Sequence, residues 1–275
     1  MKITPIIMNY NLPDITDDIY NILKSSGFED ILSVDNGSDI NPLAKSANFI
    51  LPKNIKSSGQ IRMSLTYLMD YFPADYYLLI NNSGNLFSNI NYKKIIEKDI
   101  EHLKAQFLKK KFFKKKLGVL LASMLDKPNI PRKHLRQFVD KSQEYRSIFC
   151  PTTLCMAVSH DLLTICRKNN SSFFNLSLKR GWGNDLELFY EANKNNYINI
   201  VSSNFYTEWL INRGYKLNLG GEPVDDYHKY AMEEMQTSFN KKYSVFWNKR
   251  FRYQFLKNTL FLNLFLPFIL NQFIL

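Results

Sequence analysis

Short apolar runs alternate with amphipathic stretches along most of the chain. Ile3 to Met8 is apolar, β-branched and short, and it ends at the polar turn Asn9-Tyr10-Asn11-Leu12-Pro13, so it reads as a buried strand. Asp14 to Lys24 follows with Ile15, Ile19, Ile22 and Leu23 at helical spacing, and Gly27 stops it. Ile31 to Val34 predicts a second strand, closed by the turn-rich Asp35-Asn36-Gly37-Ser38-Asp39. A helix over Gly59 to Tyr71 and a strand over Tyr76 to Ile80 come next. Lys93 to Phe107 keeps a helical register, and Leu117 to Met124 and Cys150 to Val158 read as further strands. A helix is expected from Ser159 to Lys168, then a polar loop from Asn169 to Lys179, then a helix entered through Gly181 to Glu187 and running through Ala192.

Repeated strand-helix units predict an α/β fold of Rossmann type, with a mostly parallel central sheet flanked by helices. In such sheets ligands sit beyond the carboxyl ends of the strands. Asn9 to Asn11, Asp35 to Asp39 and Asn81 to Gly84 are therefore expected to converge at one edge. No internal repeat or Pro- or Gly-rich linker divides this region. The chain changes character after Gly220, which suggests a catalytic unit over 1–220 and a helical, basic-aromatic and apolar segment over 221–275.

Charge narrows the partners. The 275 residues carry a net charge of +11, but it is concentrated. Lys93 to Lys116 holds ten lysines against Glu97, Asp99 and Glu101, and Lys241 to Lys257 holds six cations and no acid. The remainder is slightly acidic, and no recognition helix or zinc spacing is present, so nucleic acid is not an expected partner. Lys109 to Lys116 fits either a solvated charge run or a contact with an anionic surface. Cys150, Cys155 and Cys166 form no CxxC pair, which indicates neither a disulfide framework nor a zinc site and suits a reducing compartment. Ile3 to Met8 is too short and too interrupted for a secretory signal, so export is not expected.

Three segments in order, Ile6 to Asn11, Ser33 to Asp39 and Leu78 to Ser83, resemble the large family-2 group of glycosyltransferases with the GT-A fold. The Gly181 to Glu187 run resembles that family's Trp-Gly-x-Glu-Asp element, and the likeness spans roughly Ile3 to Gly214. The resemblance implies transfer of a sugar from a nucleoside-diphosphate donor to a hydroxyl acceptor with inversion, in bacterial capsule or lipooligosaccharide synthesis at the cytoplasmic face of the membrane. It places Asn9, Tyr10, Asn11, Asp35, Asn36, Arg62, Asn81, Asn82 and Ser83 at the donor, Trp182, Gly183 and Asn184 at the acceptor, and Asp185 as the catalytic base. His160 and His228 are candidates for balancing donor charge. Structural readings stand beside these: an Asx-turn at Asp35, a surface Arg62, a core Trp182 and a structural His160. Glu187 is expected to point away and solvate its helix.

The sequence also departs from the family pattern. Asn81, Asn82 and Ser83 stand where the family carries a carboxylate-bearing motif for Mg²⁺ or Mn²⁺, and Asn184 replaces the glutamate of the Glu-Asp pair. Hard cations prefer charged oxygen ligands, so amide and hydroxyl groups at these positions would bind Mg²⁺ or Mn²⁺ weakly at best. Three readings follow: a metal-independent transferase using cations such as Arg62 and His228, a transferase recruiting metal through aspartates elsewhere, or a non-catalytic nucleotide- or glycan-binding protein. Gly220 to His228 is a candidate lid.

Near the C-terminus, Tyr243 to Phe255 mixes Lys249, Arg250 and Arg252 with five aromatic residues in addition to Tyr243 at its start, namely Phe246, Trp247, Phe251, Tyr253 and Phe255. Leu260 to Leu275 then becomes almost wholly apolar, but it is too short and too interrupted to span a bilayer. An interfacial helix on an anionic membrane, near a lipid-linked acceptor, is one expectation; a tail folded onto the domain is the other.

Overall fold

The computed structural model describes residues 1–109, 115–125, 137–149, 151–170, 175, 177–210 and 223–263. The strands are β1 (Ile3–Asn9), β2 (Leu32–Asp35), β3 (Phe49–Ile50), β4 (Tyr76–Asn81), β5 (Gly84–Asn85), β6 (Lys116–Met124), β7 (Tyr145–Arg146), β8 (Cys155–Ser159) and β9 (Tyr197–Trp209). The helices are α1 (Pro13–Ser25), α2 (Lys56–Tyr71), α3 (Tyr92–Lys109), α4 (His160–Asn170), α5 (Asn184–Lys194), α6 (Val224–Tyr243) and α7 (Trp247–Asn263).

The strands form a sheet of order β3-β2-β1-β4-β8-β6-β9-β5, with β7 also on β9. β1 pairs in parallel with β2 and β4, β2 with β3, and β6 with β9. β8 lies antiparallel between β4 and β6, so those two neighbours keep a common direction. The sheet is thus mostly parallel, as expected. Alternation along each strand feeds two cores. Ile3 and Ile7 of β1 with Leu78 and Ile80 of β4 meet α1 and α3 on one face. Ile6 and Met8 with Tyr77 and Leu79 meet α2, α4 and α5 on the other. Every residue of β1 is buried, which is why, apart from Thr4 and the terminal Asn9, its sequence is apolar.

Two features lie outside the sequence expectation. The longest strand, β9, was not predicted, because its apolar pattern breaks at Ser202-Ser203-Asn204. There Ala122 pairs with Ser202 but Ser123 pairs with Tyr206, so three residues loop out of the ladder. Asp99, fully buried on α3, holds this bulge by accepting from Ser202 Oγ and Asn204 Nδ2. The second feature is the C-terminal region. Met235, Phe239 and Tyr243 of α6 and Trp247 and Phe251 of α7 are buried in one cluster with Tyr190 of α5. The described part of the C-terminal segment therefore packs on the α/β unit. Most of the apolar run from Leu260 to Leu275 and of the lysine run from Lys109 to Lys116 lies outside the described residues. No helix among the described residues is long and apolar enough to cross a membrane.

Candidate functional site

The three predicted loops do converge. Register places Asn9 beside Asp35 and Met8 beside Asn81, which brings the carboxyl ends of β1, β2 and β4 level. Asn9 joins them: its Nδ2 donates to Asp35 Oδ2 at 2.7 Å, and its Oδ1 accepts from Asn82 Nδ2 at 2.7 Å. Gln60, which no sequence motif singles out, reaches from α2 to the same point. Its Nε2 donates to the carbonyls of Asn9 and Val34 at 3.1 and 2.9 Å.

Asp35 is fully buried and closes the turn that the structural reading anticipated. Ser38 N donates to Oδ1 and Ser38 Oγ to Oδ2, each at 2.7 Å. A nucleotide base can reach this carboxylate only if the Ser38 turn opens. As built, Asp35 braces the loop and does not present itself to a ligand.

Asn11 performs a similar task for the neighbouring turn. It adopts the left-handed conformation with φ 56°, and its Oδ1 accepts from the backbone N–H groups of Asp39, Ile40 and Asn41. Asp39 Oδ1 in turn accepts from Asn11 Nδ2 and Tyr10 Oη, both at 3.0 Å. These bonds hold the exposed Asp39 carboxyl below its ordinary range, the Asn11 bond contributing most. Asp39 is exposed, and Tyr10, Ser38 and Asn41 are partly exposed.

Asn36 fastens the cluster to the loop after β3, donating to Asn54 Oδ1 and accepting from Ile55 N. Gly37 makes the contact possible. It has φ 68°, and a Cβ there would lie 2.3 Å from the Lys53 carbonyl carbon. The Lys53–Asn54 turn was missed by sequence reading, although a Pro-Lys-Asn turn ahead of a helix was the available signal.

At the third loop, Asn81 Oδ1 accepts from Ser83 N, and Asn82 is buried. The amides here serve the loop junction. Neither presents a carboxylate, and among the described residues no cluster of three or more His, Cys, Asp or Glu could hold a metal ion. The described residues of this loop, amides and a hydroxyl, do not fit a divalent cation. Arg62 lies one turn further into α2 than expected, because the helix begins at Lys56.

The Gly181–Glu187 turn opens α5. Since α5 ends just before β9 enters beside the start of β6, its first turn points toward the carboxyl edge of the sheet. Gly183 caps it with φ 90°, and a Cβ there would meet Met235 and Phe239 of α6 at 2.7 and 2.9 Å. Asn184 is buried; Asp185 is half-buried, and its Oδ1 accepts from Leu186 N at 2.8 Å. Trp182 lies against the His228 ring, centroids 5.2 Å apart, so α6 already covers one side of the expected acceptor platform.

Two expectations are corrected. Glu187 does not solvate the helix: it is 3% exposed, and its Oε1 accepts from Tyr243 Oη and Lys242 Nζ, each at 2.6 Å. His160 does not approach the donor. Because β8 runs antiparallel, Ser159 pairs with Tyr76 at the start of β4, and His160 N donates to the Asp75 carbonyl at the opposite edge. Of the candidate lid from Gly220 to His228, residues 220–222 lie outside the described residues, whereas Val224 to His228 form the first turns of α6.

No protein-family model matches the chain, and no curated protein matches it. Among solved structures, it is similar to S. aureus TarS residues 1–349 at 13% identity, covering 88% of this chain and 72% of that one, with TM-score 0.49. It is also similar to glucosyl-3-phosphoglycerate synthase from Mycobacterium tuberculosis in complex with Mg²⁺ and uridine diphosphate, at 10% identity, covering 86% and 79%, TM-score 0.47. A197 from STIV is similar at 11% identity, covering 75% and 84%, TM-score 0.43. Likenesses this distant carry no activity over to the present chain.

Proposed function

We propose that this protein is a glycosyltransferase that moves a sugar from a nucleoside-diphosphate donor to a hydroxyl acceptor with inversion. The observation that carries the reading is the junction at Asn9, which hydrogen-bonds Asp35 and Asn82 and so joins three strand ends into one edge. In this reading Tyr10 and Asp39 at that edge meet the base or ribose, and Asp35, Asn11 and Asn36 hold them in position. Asp185, at the start of α5, takes the acceptor proton as the acceptor oxygen attacks the anomeric carbon and the nucleoside diphosphate departs with the bonding electrons. Arg62 and His228 are the cations proposed to balance the leaving diphosphate. No step is assigned to a metal ion. A lipid-linked or membrane-anchored glycan acceptor, in bacterial surface-polysaccharide assembly, suits the basic C-terminal helix.

A second reading, a non-catalytic nucleotide- or glycan-binding protein, is favoured by one observation: Asn82, at the position where the resemblance expects a metal ligand, is spent on the loop junction. Calorimetric titration with UDP, GDP, dTDP and CMP, each with Mg²⁺ or Mn²⁺ and again with chelator, tests both. Binding of one nucleotide that survives chelation is expected. Absence of binding under every condition would overturn the transferase. Turnover of the matching sugar nucleotide that disappears in Asp185→Asn, with nucleotide binding retained, then separates enzyme from binding protein.

A further inference from the structure

α7 has two faces of opposite kind. Trp247, Phe251, Asn258 and Thr259 are buried. Phe246, immediately before the helix and accepting from Arg250 N, and Lys249, Arg250, Tyr253, Leu256 and Lys257 within it are exposed and recur at steps of three and four residues, which places them on a single stripe. Phe246 and Tyr253 are 63% and 66% exposed. Lys249 Nζ lies 5.7 Å from the Phe246 ring centre, so cation and ring form one surface. From Lys241 to the end of the sequence there is no Asp or Glu.

Cations alone would suit any anion. Aromatic and aliphatic side chains set between them gain nothing from a phosphate backbone in water, but they gain apolar burial where phosphate lies directly over hydrocarbon. That combination is found at the surface of an anionic bilayer. We propose that this stripe of α7 seats the protein on an anionic lipid membrane, with Phe246, Tyr253 and Leu256 entering the headgroup layer and Lys249, Arg250 and Lys257 meeting lipid phosphates. The core face of the helix is already occupied, so docking requires no rearrangement of the fold. A membrane-bound acceptor, as proposed for the transferase, gives the contact its purpose; vesicle binding needs neither nucleotide nor sugar, so either reading can fail without the other.

The test is co-sedimentation of the full chain with vesicles of phosphatidylcholine alone or of phosphatidylcholine with phosphatidylglycerol, over a range of salt. Selective binding to the anionic vesicles, weakening steeply with salt, is expected. Lys249→Ala, Arg250→Ala and Lys257→Ala together should weaken it roughly hundredfold. Phe246→Ser with Tyr253→Ser should weaken it roughly tenfold or more. Unchanged thermal melts, expected for exposed positions, show that the variants fold. No binding to anionic vesicles overturns the proposal. So does binding that both sets of substitutions leave intact, because the contact then lies elsewhere. A dimer in solution that the same substitutions dissociate would assign the stripe to a second copy of the chain instead.

Discussion

Tyr243 Oη donates a hydrogen bond to Glu187 Oε1 at 2.6 Å, tying the end of α6 to the first turn of α5, two residues from Asp185. Glu187 is almost fully buried, so its carboxylate depends on this bond and on Lys242 for what water would otherwise supply. Tyr243→Phe should therefore destabilise the protein by about 2 kcal/mol, read as a lower urea midpoint. An unchanged midpoint would mean that α6 and α5 are not coupled through this pair. Truncation before Tyr243 should unfold or loosen α5, since the shared core around Tyr190 and Phe239 would go with it.

Alkaline pH should reach the same joint. Burial pushes the Tyr243 hydroxyl up, and the Glu187 carboxylate pushes it further; burial also raises Tyr76, Tyr92 and Tyr145. For each, the folded value lies above the unfolded value of about 10. The stability they contribute is complete below that pH and is lost as pH rises toward the folded values. Absorbance of tyrosinate followed together with circular dichroism should show these four ionising only as the fold is lost. Full ionisation near pH 10 with native circular dichroism would refute this.

Gly37 should tolerate no side chain. An alanine Cβ would meet Lys53 backbone atoms at 2.3 and 2.5 Å at a left-handed φ. Gly37→Ala should cost about 3 kcal/mol, combining the conformational penalty with overpacking. Nucleotide affinity should fall with it, because the Asn36–Asn54 contact lies next door.

Carboxylates introduced in the third loop should behave differently at adjacent positions. Asn82→Asp would set a carboxylate oxygen against Asn9 Oδ1, where Asn82 Nδ2 now donates, and should destabilise by about 2 kcal/mol. Asn81→Asp keeps the acceptor that Ser83 N uses and should fold normally. If calorimetry showed Mg²⁺ binding created by Asn82→Asp without loss of stability, the loop-junction role of Asn82 would be wrong.

Much of the architecture was legible because it depends on local periodicity. The buried strands Ile3–Asn9 and Tyr76–Asn81 are mostly apolar runs that end in asparagine, and α1 and α3 carry their core residues at helical spacing. Turn chemistry likewise marked Asp35 to Asp39 and the Gly181 turn, and strand order implied that three loops would meet at one edge. What the sequence determined, then, was which residues stand at the ends of elements.

The tertiary structure decided which way those residues face. Nothing local reveals that β8 runs antiparallel, yet that direction alone moves His160 to the far edge of the sheet. β9 escaped detection because its ladder is interrupted by a bulge whose support, Asp99, lies about a hundred residues away in sequence. Asp35 reads as a ligand-facing acid but is enclosed by Asn9 and Ser38, and Glu187 reads as a surface acid but is enclosed by Lys242 and Tyr243. A carboxylate's role follows from the donors that surround it, and those donors come from segments that only folding brings together.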